Sequence, residues 1–313
     1  MKIESPVIFL FFNRPWTARS VFELIRAVKP PHLILVSDGP RPQVPEEKSV
    51  VESLRNEIEN MIDWPTKVEI DYASENMGCG RRVSSGIESG LSKFGRAIIL
   101  EDDCLPSRSF FYFCDMMLKR YERELRVTSI SGTYFLKHSW RKTDVGFTHF
   151  PCIWGWATWE RAWEGYDREL KGWDDSFIDK IARCGEIPCF IPDEWKKTFE
   201  WVANHPESTW DVQFWLLSLK KKGLSLFPYS NQISNLGAGP AATHTYGARF
   251  CNLPVYELSN KLRLPDTIHV DEEYNKYLQE EFYSNKTTWK NAGYKAIYKS
   301  RLLWKQFREQ KRL

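Results

Sequence analysis

The sequence predicts an α/β protein with a mostly parallel sheet flanked by helices and a helical tail at the C-terminus. Three observations carry this. Apolar runs of strand length recur through residues 5–101, segments with helical spacing lie between them, and turn residues such as Asp-Gly-Pro close the strands. Strands alternating with helices in this way build βαβ units, whose strands pair in parallel.

Taken in order, "PVIFLFF" (6–12) is the first strand and ends in "NRP". A helix follows over 17–27, with Val21, Leu24, Ile25 and Val28 on one face. "HLILVSDGP" (32–40) is a second buried strand running into a turn, and a charged helix occupies 45–62. "KVEIDYA" (67–73) alternates as a third strand. "ENMGCGRRVSSGIESGLSKF" then supplies a glycine-bearing loop and a helix, and "RAIIL" is the fourth strand. Beyond it a helix is expected over 109–123, a strand near "VTSISGTYF", a helix over 211–223 ending at Gly223, and a strand and loop over 224–237. The last segment, 286–313, reads as a helix.

Composition narrows the class. A hydrophobic fraction of 42% and a charged fraction of 27% suit a globular chain of 313 residues. Net charge is only +3, and the basic residues concentrate between 286 and 313, where nine Lys and Arg face Glu309 alone. The rest of the chain is therefore slightly acidic, which argues against a nucleic-acid partner. The tail, with Tyr294, Tyr298 and Trp304 among its bases, suits an anionic membrane surface, although a solvated helix has the same composition. Seven cysteines (79, 104, 114, 152, 184, 189, 251) show no C-x-x-C spacing, so reduced thiols are expected rather than a zinc site or disulfide framework. With no signal peptide and no apolar run of about 20 residues, the expected location is cytoplasmic, including the inner face of the membrane.

The chemistry concentrates at strand ends. Open parallel sheets bind ligands outside the carboxyl ends of their strands. Asp38 follows "LILVS", and Glu101, Asp102 and Asp103 follow "AIIL". Adjacent carboxylates repel one another, so a cation or an unusual turn must compensate. If the segment stays extended, Glu101 and Asp103 point one way and Asp102 the other. An acid-x-acid pair of hard oxygens suits Mg²⁺ or Mn²⁺ with phosphate oxygens completing the shell. The competing reading is a capped turn before "LPS".

The order "FFNRP", "VSDGP", "ENMGCGRRVSSGI" and "AIILEDDCLPS" resembles the nucleotide-sugar half of GT-A glycosyltransferases, and most of all bacterial enzymes of the large inverting family two, over about residues 5–245. The resemblance implies a GT-A, Rossmann-like catalytic domain over 1–255, with a nucleotide-sugar half to about 130, an acceptor half to 255 and an extension over 256–313. It implies Asp103 as the metal ligand, with Glu101 or Asp102 touching ribose or a metal-bound water. Glu101 stands where the family usually has Asp.

The same resemblance implies that Asp38 contacts nucleobase or ribose, although an Asp-Gly turn needs the same residue. Asn76, Gly78 and Arg82 match a loop beneath the nucleotide. Asp211 in "STWDVQFW" is placed as the general base for the acceptor hydroxyl. Ser208-x-x-Asp211 is also capping-box spacing. His244 in "ATHT" is placed as a further metal ligand.

Trp154 and Trp156 are the candidate acceptor platform. Trp156, Trp159 and Trp163 also fall on one helical face, which suits core packing. The expected activity is metal-dependent transfer from a nucleotide-diphosphate sugar, a UDP-sugar first among them, to a glycan or lipid-linked acceptor in bacterial surface polysaccharide synthesis. A sugar-phosphate nucleotidyltransferase and a non-catalytic carbohydrate- or nucleotide-sugar-binding protein are the alternatives. The first should carry a glycine-rich basic loop after the first strand, which "FFNRPWTARS" lacks; the second leaves 101–103 unexplained.

Overall fold

The computed structural model describes residues 2–137, 141–171, 173–184, 187, 191–237 and 250–282. The predicted alternation is present: β1 (Val7–Phe11), α1 (Pro15–Val28), β2 (His32–Ser37), α2 (Glu47–Asn60), β3 (Lys67–Tyr72), α3 (Cys79–Phe94) and β4 (Arg96–Glu101). Strands β3, β2, β1 and β4 lie side by side in that order, all parallel. Val7, Phe9, Phe11, Leu33, Leu35, Ile98 and Leu100 face α1 and α2. Ile8, Leu10, Ile34, Val36, Ala97 and Ile99 face α3. Both faces are covered, which is why β1 and β2 read as continuous apolar runs and do not alternate.

Local chemistry sets the helix ends. Pro15 opens α1, where its missing N–H costs nothing. Gly95 closes α3 in the left-handed region, at φ 74°. Gly86 and Gly90 bring α3 close to the sheet: a Cβ on either would lie 2.5 Å from Val36 Cγ1 or Ile8 Cδ1. That approach sets the height of the α3 N-terminus above the ends of β1 and β2.

The remaining elements are β5 (Cys104–Pro106), α4 (Arg108–Arg120), β6 (Val127–Ser131), β7 (Val145–Thr148), β8 (Trp156–Trp159), the single turn α5 (Glu160–Trp163), α6 (Asp175–Cys184), α7 (Pro192–Asn204), α8 (Asp211–Lys220), β9 (Leu224–Pro228), β10 (Ile233–Asn235) and α9 (Glu272–Phe282). Helix α4 packs against the α1 and α2 side of the sheet. Ser107 caps it, accepting the Phe110 N–H at 3.1 Å.

The sheet continues past β4 as β8, β6, β9 and β7. β8 and β7 run against the others, so six of its eight described strands share one direction. β5 and β10 form a separate antiparallel pair beside the end of β4. The fold is thus α/β, with a mostly parallel, Rossmann-like sheet flanked by helices.

Two features differ from the sequence reading. Trp156–Trp159 is a strand, not part of a helical face; Trp156 pairs with Ile99 of β4 and with Ser131 of β6. Helices α6 and α7, although both are amphipathic, and strand β7 lie outside the elements read from the sequence. The region after 256 is tied to the second half: Arg263 pairs with Asp144 at 2.6 Å, the Asp271 N–H reaches the Phe147 carbonyl, and Tyr274 and Leu278 are buried. The expected tail helix over 286–313 lies outside the described residues. Among the described residues, no helix is long and apolar enough to cross a membrane.

Candidate active site

A cleft of about 690 Å³ opens at the carboxyl ends of β1, β2 and β4. Asp38, Asn76, Gly78, Arg82, Glu101, Asp102, Asp103, Trp154 and Asp211 all line it. Two predicted residues do not join them. His244 lies outside the described residues. Trp156 is a correction: it is 1% exposed, stacked on Trp210 and packed against Phe214 and Trp163, and so has no face to offer a sugar. A strand between two partners sends its side chains into the layers above and below, away from the sheet end where the cleft opens.

The acid triplet does not stay extended. Glu101 ends β4, and Asp102 and Asp103 form a turn before β5. The predicted alternation therefore fails, and both Asp residues turn toward one cation. Arg14 Nη1 lies 2.8 Å from Asp103 Oδ2 and 3.3 Å from Asp102 Oδ1. Asp102 Oδ2 also accepts the Phe12 N–H at 3.1 Å. Arg14 comes from "NRP", directly after β1, and register places Leu10 beside Glu101. The compensating cation was thus present in the sequence, as a basic residue leaving the neighbouring strand at the same sheet edge.

Glu101 is different. Among the described residues its carboxylate has no hydrogen-bond donor. Burial, followed by the charges of Asp103, Asp102 and Asp211, pushes it up to about 8, against the pull of Arg14. Burial also pushes Asp102 up to about 7, opposed chiefly by Arg14.

Asp38 is saturated by the protein. Its Oδ1 accepts the N–H groups of Gly39 and Met77, each at 2.8 Å. Its Oδ2 accepts the Gly78 N–H at 3.0 Å and Asn76 Nδ2 at 3.1 Å. A carboxylate offers about four lone-pair sites, and all are used. Burial raises its pKa, and the three backbone donors lower it. Asn76 also donates to the Gly39 carbonyl at 2.8 Å, so Asp38 and Asn76 clasp the loop after β2 to the loop before α3.

Arg82 is buried and largely engaged. It reaches the Asp71 carboxylate at 2.8 Å, the Asp71 carbonyl at 2.7 Å and Ser85 Oγ at 3.0 Å, leaving Nε without a partner among the described residues. Arg41, also on the cleft, was missed by sequence reasoning. Buried Glu47 grips it and also accepts Asn13 Nδ2 at 2.7 Å, joining the loops after β1 and β2.

Asp211 stands at the first position of α8, where a carboxylate complements the helix dipole. The capping box is not formed. Ser208 Oγ donates to the His205 carbonyl, while the Thr209 hydroxyl donates to Asp211 Oδ1. The loop before Asp211 is seated on the start of α3. Gly80 N donates to the Glu207 carbonyl at 3.0 Å, and a Cβ at Gly80 would meet the Pro206 carbonyl at 2.6 Å and the Thr209 carbonyl at 2.7 Å. Trp154 is half-buried, with its ring edge-on to Phe135.

The donor set decides whether a divalent cation fits here. Among the described residues Glu101 lacks a donor, and Asp103 Oδ1 meets only the Cys104 thiol, at 3.5 Å. Two such carboxylates, with phosphate oxygens and water, match the hard-oxygen shell of Mg²⁺ or Mn²⁺. Among the described residues no group of three His, Cys, Asp or Glu could hold a metal by itself, so a ligand would have to complete the shell.

No protein-family model matches the chain, and no curated protein matches it. Among solved structures it is similar to GalNAc-T7 with UDP, GalNAc and Mn²⁺, at 12% identity and a TM-score of 0.43; the match covers 76% of this chain and 46% of that one. The chain thus spans less than half of GalNAc-T7. It is also similar to UDP-glucose pyrophosphorylase complexed with UDP-glucose, at 11% identity and a TM-score of 0.32, covering 73% of this chain and 91% of that one. The apo form of UDP-glucose pyrophosphorylase matches over the same shares, at 12% identity and a TM-score of 0.31.

Proposed function

We propose that this protein is a metal-dependent GT-A glycosyltransferase that moves a sugar from a nucleotide-diphosphate sugar to an acceptor hydroxyl with inversion. A UDP-sugar is the first donor to try. The observation that carries the reading is the pairing of two kinds of carboxylate in one cleft. Glu101, without a donor among the described residues, and Asp103, which meets Arg14 and the Cys104 thiol, lie at the β4 end, and Asp211 stands on a separate element, held through one oxygen by Thr209.

In this reading Asp103 and Glu101 would hold the cation, which would neutralise the leaving diphosphate as a Lewis acid, an effect of several kcal/mol. Asp211 Oδ2 takes the proton of the attacking acceptor hydroxyl, while the Thr209 hydroxyl fixes the other oxygen and so the direction of the carboxylate. Trp154 offers an apolar ring to a sugar face. Asp38 and Asn76 hold the loops around the nucleotide through the contacts they make with each other. A glycan or lipid-linked acceptor in bacterial surface polysaccharide synthesis follows from the sequence resemblance.

The test is calorimetric titration with UDP, GDP, dTDP and CMP, each with Mn²⁺ and with chelator. One nucleotide should bind, and only with metal. If none shows metal-dependent binding, the proposal is wrong.

A further inference from the structure

We propose that Arg14 and a divalent cation are alternative partners of Asp103: Arg14 holds the acid pair while the cation is absent, and moves to the donor diphosphate when the cation binds. This rests on the function proposed above. Its basis is a single carboxylate with two claims on it. Asp103 Oδ2 is in contact with Arg14 Nη1 at 2.8 Å, inside the same cleft where Asp103 faces a prospective ligand. A cation coordinated at about 2.1 Å on that carboxylate would stand beside the guanidinium, and two positive charges in such contact repel strongly.

Asp102 and Asp103 are not equivalent in this exchange. Asp102 is buried and anchored by the Phe12 N–H, so it stays in place whatever Arg14 does. Asp103 is more exposed, with 17% of its side chain accessible against 9% for Asp102, and it makes the shorter contact to Arg14. The more exposed carboxylate is therefore the one a cation from solvent reaches, in direct competition with its contact to Arg14.

Arg14 precedes the first helical residue of α1, on a short loop leaving β1, and its side chain is 22% exposed on the cleft wall. Released from Asp103, its planar fork suits phosphate oxygens. The arrangement also explains how three consecutive acids are tolerated at a buried strand end before any ligand arrives.

A purely structural clamp makes the opposite prediction, because losing Arg14 would then disorder the carboxylates and weaken metal binding. The experiment is calorimetric titration of the full-length protein with MnCl₂, first alone and then with saturating UDP, for wild type, Arg14→Gln and Arg14→Lys. Without nucleotide, Arg14→Gln should bind Mn²⁺ about tenfold more tightly than wild type, since removing a competitor raises the fraction of competent sites. Arg14→Lys should gain less, because it keeps the charge but loses the bridging fork.

The tightening of Mn²⁺ by UDP should be smaller in Arg14→Gln than in wild type by about the same tenfold factor, because in wild type UDP draws Arg14 off Asp103 and the variant has no such competitor to remove. If Arg14→Gln does not fold, as judged by its melting curve, Arg14→Lys makes the same comparison with a smaller gain. Equal or weaker Mn²⁺ binding in the variants, alongside Mn²⁺ and UDP binding by wild type, overturns the exchange and leaves the proposed function standing. No Mn²⁺ binding by any of the three, alone or with UDP, GDP, dTDP or CMP, overturns both.

Discussion

Two acidic turns stand at the same edge of the same sheet, and the fold treats them in opposite ways. After β2, every lone pair of Asp38 meets a protein donor. After β4, Glu101 has no donor among the described residues, and Asp102 and Asp103 share one guanidinium. The first turn is architecture. Among the described residues the second carries more negative charge than its one guanidinium balances, and under the proposed function that surplus serves a cation. Motif matching cannot separate them, because both are short acid-bearing turns after buried strands; counting donors can.

The largest effect that would sharpen this contrast lies with the third acidic position. Among the described residues Asp211 is held through one oxygen, so it belongs with the second turn and not with the first. Asp211→Asn should lower transfer by about 10² to 10⁴, the usual worth of a general base, with metal-dependent nucleotide binding unchanged. Assay of turnover beside calorimetric nucleotide binding checks this. Near-normal turnover would remove Asp211 from catalysis.

Asp38 should show the reverse pattern, with a stability loss first. Asp38→Ala strands the N–H groups of Gly39, Met77 and Gly78, and each stranded buried donor costs about 1–3 kcal/mol before water repairs part of it. A net destabilisation of about 2–4 kcal/mol is expected from urea unfolding. A loss under about 0.5 kcal/mol, the ordinary range for surface changes, would mean that the clasp is not holding the loops.

The sequence made the first half of the fold legible because its strands and helices each keep one period over a whole element. β1, α1, β2, α2, β3, α3 and β4 all fall within a few residues of where apolar spacing puts them. The second half is harder to read for a physical reason. Its core is built from rings, with Phe150, Trp195, Phe199, Trp215, Phe227 and Tyr274 in one cluster, and aromatics suit strand and helix alike.

Trp156 shows the consequence, since three tryptophans at helical spacing belong partly to a strand that enters the sheet between β4 and β6. In the site, the acids were visible and their partners were not. Arg14 and Glu47 meet their partners where the sheet brings chain segments together, and no local pattern marks them, whereas Thr209 acts locally, two residues before Asp211.

The smallest predicted effect is the one that best probes the contrast, because its sign is unusual. Glu101 sits in a buried position near Asp102, Asp103 and Asp211, with nothing donating to it among the described residues. Above about pH 8, where Glu101 is ionised, replacing it with Gln removes one negative charge from that crowd and keeps the shape, so the comparison is made there. The chelator-treated Glu101→Gln protein should therefore be more stable than wild type by about 1 kcal/mol, as is common where a site keeps charge for function at the expense of stability. With Mn²⁺ and nucleotide present the order should reverse, because wild type regains through ligand binding what it loses to repulsion. Melting curves in chelator and in Mn²⁺ with UDP measure both. A lower melting temperature for Glu101→Gln in chelator would show that the protein already satisfies Glu101, and the contrast between the two turns would collapse.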